Sequence, residues 1–280
     1  MFVSERLIYL QLQKTGCTHI TKLLRTCVGG EERGKHSRLH WETGGRFVLG
    51  SIRNPWSWYL SLWAYGCAGG GGFRKRTSIR SWRLSYHLSR LPKQLGVTPL
   101  PVAETLTSMA RNVTKPTDRW RRVYADSDDP GCFREWLAMV FDSRRRFDFG
   151  EGFGYSPVSS YAGLLTYRYV RLFWRSLGPL FGPDAPKDLV ALRQLDEEQN
   201  VLDHAVRTEH LEADLLTALA AAGEDLDGQQ RAIVERGRAS KTNASSHRDL
   251  AYYYDAECLA RIAERERFII DRYGYAPPVV

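Results

Sequence analysis

Gln13, Lys14, Thr15, Gly16, Cys17, Thr18 and His19 place a mobile cation, two hydroxyls and a glycine between a short apolar run and an amphipathic stretch. A tight loop that leaves a strand and opens a helix points several backbone N–H groups at one spot. The helix adds the positive end of its dipole. With the Lys14 charge and the Thr15 and Thr18 hydroxyls, such a loop makes a cradle for phosphate or sulfate. It lacks the G-x-x-x-x-G-K-[ST] pattern of a Walker A loop. A near match at Gly29, Gly34, Lys35 and His36 follows a helix rather than a strand, and His36 stands where a magnesium-holding Ser or Thr belongs. A second polar pair is Arg53 with Ser61 one helical segment later. At 1.5 Å per residue Ser61 lies only about 9 Å along a helix from Pro55, so both side chains can meet on one phosphate.

These residues need elements to hold them. The run over residues 7–12 reads as a strand buried on both faces, and Ile20, Leu23, Leu24 and Cys27 follow at helical spacing, closed by Gly29 and Gly30. A second strand is expected over residues 47–52. It leads to Asn54 as N-cap, Pro55 at the first helical position and a helix carrying Trp56, Trp58, Leu60, Leu62 and Trp63. Two strands that each feed a helix predict an α/β fold with a P-loop-like parallel sheet flanked by helices. In such sheets ligands bind outside the carboxyl ends of the strands, where the Lys14 loop and Arg53 both fall. A third strand is expected over residues 201–205, leading through Arg207, Thr208 and Glu209 into a helix with Leu211, Leu215 and Leu219. Helices are also expected over residues 133–141 and 161–174, a glycine-rich loop over 150–157, and one C-terminal packing helix carrying Tyr254, Cys258, Ile262 and Ile269. Residues 67–131, with a glycine run and scattered prolines, read as a variable insertion of helix and loop with its helix over 81–91. The whole, 1–280, reads as one domain.

The 280 residues are 43% hydrophobic and 26% charged, which suffices for a core and excludes wholesale disorder. No apolar stretch approaches the length of a membrane span. Ser4, Glu5 and Arg6 interrupt the N-terminal stretch where a secretory signal would run apolar. Five cysteines without a CxxC pair argue against a disulfide framework and a structural zinc, and for a reducing, cytoplasmic setting. The net charge of +8 implies an anionic partner. Its clumps, at 74–80, 119–122 and 144–146, carry no fingerprint of an RNA-recognition fold or zinc finger, so nucleic acid is not the expected partner.

Taken together, the stretches resemble the 3′-phosphoadenosine-5′-phosphosulfate (PAPS)-dependent sulfotransferases. Lys14-Thr15-Gly16-Cys17-Thr18 is similar to that family's 5′-phosphosulfate loop, K-T-G-[GT]-T, with Cys17 in place of the usual small residue. The stretch from Val48 through Arg53-Asn54-Pro55 to Ser61 is similar to its 3′-phosphate motif, an apolar strand followed by R-[DN]-P-x5-S. Arg207-Thr208-Glu209-His210-Leu211-Glu212-Ala213-Asp214-Leu215 resembles the R-x-E-x-L-x-x-D-L stretch of the branch that includes carbohydrate sulfotransferases. Lys241, Asn243 and Ser245, the tyrosines Tyr252 to Tyr254, and Tyr273-Gly274-Tyr275 resemble that branch's closing region, with Tyr273 replacing Phe.

The resemblance implies in-line transfer of a sulfuryl group from PAPS to an acceptor hydroxyl, leaving adenosine 3′,5′-bisphosphate (PAP), with no metal. It assigns Lys14 to the leaving phosphate, and Lys14, Thr15, Gly16, Cys17, Thr18, His19, Arg53, Ser61, Lys241 and Asn243 to the nucleotide. The base is a histidine ahead of the Arg53 strand. His36 within Lys35-His36 matches best, His40 is second, and Glu42 can orient either. The acceptor stays open between a carbohydrate and a small natural product. The rival of another class is a P-loop kinase, which would use Thr15 for magnesium and needs an acidic Walker B strand that neither of the first two strands provides.

Overall fold

The computed structural model describes residues 1–80, 102–237 and 248–279. The expected helix over 81–91 and the candidate ligands Lys241 and Asn243 lie outside the described residues. In chain order the main elements are β1 (Phe2–Val3), β2 (Leu7–Tyr9), α1 (Cys17–Cys27), β3 (Glu31–Glu32), β4 (Phe47–Ile52), α2 (Pro55–Cys67), α3 (Gly72–Ser78), α4 (Val102–Val113), α5 (Thr117–Arg122), α6 (Pro130–Phe141), α7 (Leu164–Phe173), α8 (Leu189–Gln199), β5 (His204–Arg207), α9 (Leu211–Ala221), α10 (Gly228–Arg236), α11 (Ala256–Arg265) and α12 (Arg267–Tyr273), with shorter helical turns between them. The fold is α/β, a five-stranded mixed sheet with helices around it. The chain divides into two compact units. The first holds Met1–Asn54, Arg168–Arg175 and Asp196–Ala244; the second holds Pro55–Tyr167, Ser176–Leu195 and Ser245–Val280.

The first unit carries the sheet, in the order β3-β1-β2-β4-β5. β2, β4 and β5 are parallel, with Ile8 opposite Val48 and Gly50 opposite Ala205, whereas β1 and, outside it, the edge strand β3 are added antiparallel. The predicted 7–12 strand stops at Tyr9, because Gln11 turns to side-chain bonding and the ladder to β4 ends. The predicted third strand is displaced to His204–Arg207; Asp203 just before it makes two bonds to Val48, its N–H donating to Val48 O at 2.9 Å and its carboxylate accepting from the Val48 N–H at 2.7 Å. Ile20 and Leu24 of α1, Leu215 and Leu219 of α9, and Val234 of α10 pack with Tyr9, Leu49 and Val206 of the sheet in one core. Most of the hydrophobic stabilisation of this unit comes from that layer, at about 25 cal/mol per Å² of apolar surface removed from water.

The second unit is helical and aromatic. α2 is buried on almost every side, which its continuous run of Trp, Tyr and Leu dictates. Trp63 packs edge-on against Phe133 and Tyr253, with ring centroids 5.3 and 5.7 Å apart. The expected single C-terminal helix is two, broken at Glu266. Glu266 is fully buried. One carboxylate oxygen accepts from the Tyr59 hydroxyl and the Leu165 N–H, the other from the Thr166 N–H and hydroxyl at 2.8 and 2.6 Å. It thus caps the start of α7, which begins at Leu164 rather than at 161. Gly163 is required there, since a Cβ would stand 2.1 Å from the Glu266 carboxylate.

The Tyr59 hydroxyl also accepts from the Leu164 N–H at 3.0 Å, so it serves two buried groups at once. Tyr59→Phe is expected to lower stability by about 1–3 kcal/mol, read as a lower urea midpoint at unchanged slope.

Candidate anion and proton-transfer site

The carboxyl ends of the three parallel strands collect the polar residues of the first unit. β2 gives way to the loop over residues 13–16, and Gly16, with φ 74°, is the N-cap of α1, with no side chain capping that helix. Gly16 is needed twice over, because a Cβ would also meet Leu211 Cδ1 at 2.9 Å. The loop is fixed from beneath by a chain of hydroxyls. Tyr9 Oη and Ser51 Oγ are 2.7 Å apart, Ser51 Oγ and Thr15 Oγ1 2.6 Å, and Thr15 Oγ1 donates to Leu12 O at 2.7 Å. A carbonyl can only accept, so the proton order runs from Tyr9 through Ser51 and Thr15 to Leu12. The expectation that the Thr15 hydroxyl faces a ligand is therefore corrected: it is fully buried and its bonds are used inside the unit.

Lys14 is held with φ 67°, and the Arg53 guanidinium donates to its carbonyl at 3.3 Å. Burial first, then the charges of Arg53 and Lys35 against an opposing contribution from the Cys17 thiol, bring the Lys14 ammonium down to about 8. Lys35 reaches the same loop from the other side, its Nζ donating to Thr18 Oγ1 at 3.0 Å. Lys14, Arg53 and Lys35 thus converge on one loop at a helix N-terminus, an arrangement suited to a multiply charged oxyanion. Cys17 is buried and its thiol is pushed up by burial, so it is a packing residue of the cradle. His19 is buried in α1 with Nε2 4.0 Å from Glu212 on α9, which turns it onto the neighbouring helix.

The turn after β4 is set by β5 and its exit. Glu209 accepts from the Asn54 N–H at 2.8 Å and the Thr208 hydroxyl donates to Ile52 O at 2.9 Å. Arg207 forks onto Asp214, through Nε at 2.9 Å and Nη2 at 3.2 Å. The Arg207-to-Leu215 stretch therefore acts as a brace for the Arg53 turn. Arg53 belongs to the first unit and Ser61 to the second, where it is 2% exposed within α2.

His36 is half-buried, with φ 59°. Its Nδ1 is 2.8 Å from Gln11 O. Since that carbonyl cannot donate, Nδ1 carries the proton and Nε2 keeps its lone pair. Burial is the main cause holding the imidazolium below its ordinary range, with Lys35 and Arg168 acting in the same direction against the Gln11 bond. His40 and Glu42 are exposed. Lys14, His36 and Glu151 are the non-glycine residues with positive φ among the described residues, a backbone state that costs about 1–3 kcal/mol each. Of the residues that sequence reading assigns to the chemistry, Lys14 and His36 are among them and His40 is not.

No protein-family model matches this chain. No curated protein and no solved structure matches it either.

Sequence reading missed Gln11, which is fully buried and donates through Nε2 to Thr21 Oγ1 at 2.7 Å and Glu32 Oε1 at 2.9 Å. The signal was a lone amide inside an otherwise apolar run. The basic clumps of the second unit lie largely on their own acids: Arg119 on Glu135 at 2.6 Å, Arg144 on Asp142 at 2.9 Å, and Arg76 on Glu151. Among the described residues no helix is long and apolar enough to cross a membrane.

A Lys14 ammonium that titrates near 8 is charged below that pH and neutral above it. Affinity for sulfate, which does not titrate in this range, should accordingly fall as pH rises from about 7 to about 9 at fixed ionic strength, and Lys14→Met should weaken binding and flatten the profile, as read by calorimetry.

Proposed function

We propose that the chain is a PAPS-dependent sulfotransferase whose sheet is P-loop-like, with the Lys14 loop leading into α1 as its anion cradle. The observation that carries this reading is a cationic loop built around Lys14 together with a histidine, His36, fixed in one tautomer with Nε2 free to accept a proton. A kinase reading would need Thr15 to hold magnesium, and the Thr15 hydroxyl is bonded to Leu12 and Ser51. The donor and its product match the cradle in charge, since Lys14, Lys35 and Arg53 face the loop.

When bound, PAPS supplies an activated sulfuryl group with a phosphate as leaving group. Lys14 would offer its ammonium to the negative charge on that phosphate, with the N-terminus of α1 adding its dipole. Arg53, braced by Glu209 and Arg207–Asp214 through the β4 and β5 exits, is assigned to the 3′-phosphate. Ser61 is assigned to the nucleotide by the sequence resemblance alone. His36 Nε2 would take the proton of the acceptor hydroxyl, and the Nδ1–H bond to Gln11 O would steady the imidazolium that results. The depressed imidazole range keeps Nε2 unprotonated at neutral pH, which a base requires. The acceptor is proposed as a carbohydrate hydroxyl.

Calorimetry with PAP and ATP, in EDTA and in magnesium, tests the reading. Metal-independent binding of PAP with weak ATP binding is expected. Magnesium-dependent ATP binding without preference for the 3′-phosphate would overturn it. Lys14→Ala and Arg53→Ala should weaken PAP binding, while His36→Ala should preserve it and reduce transfer by roughly 10²–10⁴-fold. Full turnover in His36→Ala would pass the role of base to His40.

A further inference from the structure

Two arginines of the first unit are not accounted for by the cradle. Arg38 follows His36 by two residues, and its Nη2 donates to Trp174 O at 2.8 Å, just past the end of α7. Arg171 stands one turn back on α7, close enough that its charge, after burial, depresses the Arg38 guanidinium to about 10. The Nε of Arg38 and the Nε of Arg171 are both buried and without a hydrogen-bond partner. Among the described residues neither guanidinium takes part in an ion pair.

The order of the stretch around His36 gives these arginines a direction. Lys35 donates to Thr18 in the cradle, His36 is fixed on Gln11 O just past β2, and Arg38 reaches Trp174 O at the end of α7, near Arg171. Arg168 and Arg171 are three residues apart on one helix and share a face. Along residues 35–38 the chain thus leads from the cradle, through His36, to the Arg38–Arg171 pair. Two like charges in a half-buried setting repel, and two buried donors without acceptors are costly. One oxyanion with two acceptor oxygens relieves both.

We propose that Arg38 and Arg171 form a binding site for an oxyanion group on the acceptor, a carboxylate or a sulfate ester, and so select an acidic sugar as the substrate. The assignment to the acceptor rests on the sulfuryl-transfer reading; the anion site itself does not.

The test uses the full chain with isotope-labelled arginine Nε, saturated with PAP so that the cradle is filled, and follows the arginine Nε–H signals by NMR. Arg38→Gln and Arg171→Gln assign the two signals. Glucuronate, glucose 6-sulfate, glucose and the methyl ester of glucuronate are titrated at matched ionic strength. Both signals should move on one saturating curve with glucuronate or glucose 6-sulfate, and the tighter of the two names the group. Glucose and the ester should move neither, and Arg171→Gln should weaken the surviving Arg38 response by about tenfold or more. Absence of a saturable shift, an equal response to the neutral sugars, an unchanged curve in Arg171→Gln, or a response lost once PAP fills the cradle would each overturn the proposal. His36→Gln separates the two readings. It should leave the titration intact, and full turnover in that variant would defeat the base assignment while the anion site stood.

Discussion

Three hydroxyl groups in a row, on Tyr9, Ser51 and Thr15, tie two adjacent parallel strands to the loop that leaves the first of them, and the last hands its proton to Leu12 O. The geometry of the candidate site depends on that chain. It fixes the path of residues 12–15, and with it the left-handed backbone at Lys14 and the start of α1 at Cys17. Burial pushes the Tyr9 phenol well above its ordinary range, so the chain stays protonated wherever the protein is folded. None of the three groups is charged, so the cradle's cations have a frame that does not titrate with them.

The second unit is organised by a different device, a buried carboxylate with four donors. Glu266 breaks what its sequence presents as one amphipathic helix and uses the break to cap α7. The desolvation of that carboxyl is offset by complete hydrogen bonding, and the close approach is possible because residue 163 has no Cβ. The two units thus use opposite means. One relies on neutral hydroxyls between strands, the other on a desolvated acid between helices.

Much of this was legible in the sequence, for identifiable reasons. Residues 17–27 and 55–67 carry strong periodicity or continuous apolar character with clear glycine or proline boundaries, and α1 and α2 follow them. β4 is a short, mostly apolar run ahead of the Asn54-Pro55 helix start, and is equally plain. The antiparallel strands β1 and β3 are two residues each, too short for any period, so that margin of the sheet leaves no trace in the sequence. Lys14, Arg53 and His36 stand out in the sequence because their residue types are unusual where they stand. Gln11 and Arg38 do not, since their roles depend on a carbonyl and a buried nitrogen that only the folded backbone supplies. Thr15 was found for the wrong reason: its hydroxyl serves the loop's foundation, a bond to Ser51 across 36 positions of sequence that local reading does not reach.

Gly16 lies so close to Leu211 that the loop cannot swing outward without moving the start of α9. A cradle wedged in this way is shaped before any anion arrives. Its ligand would not bear the entropy of ordering a loop, and capture would proceed at a rate governed by encounter and electrostatic attraction rather than by waiting for a minor conformation.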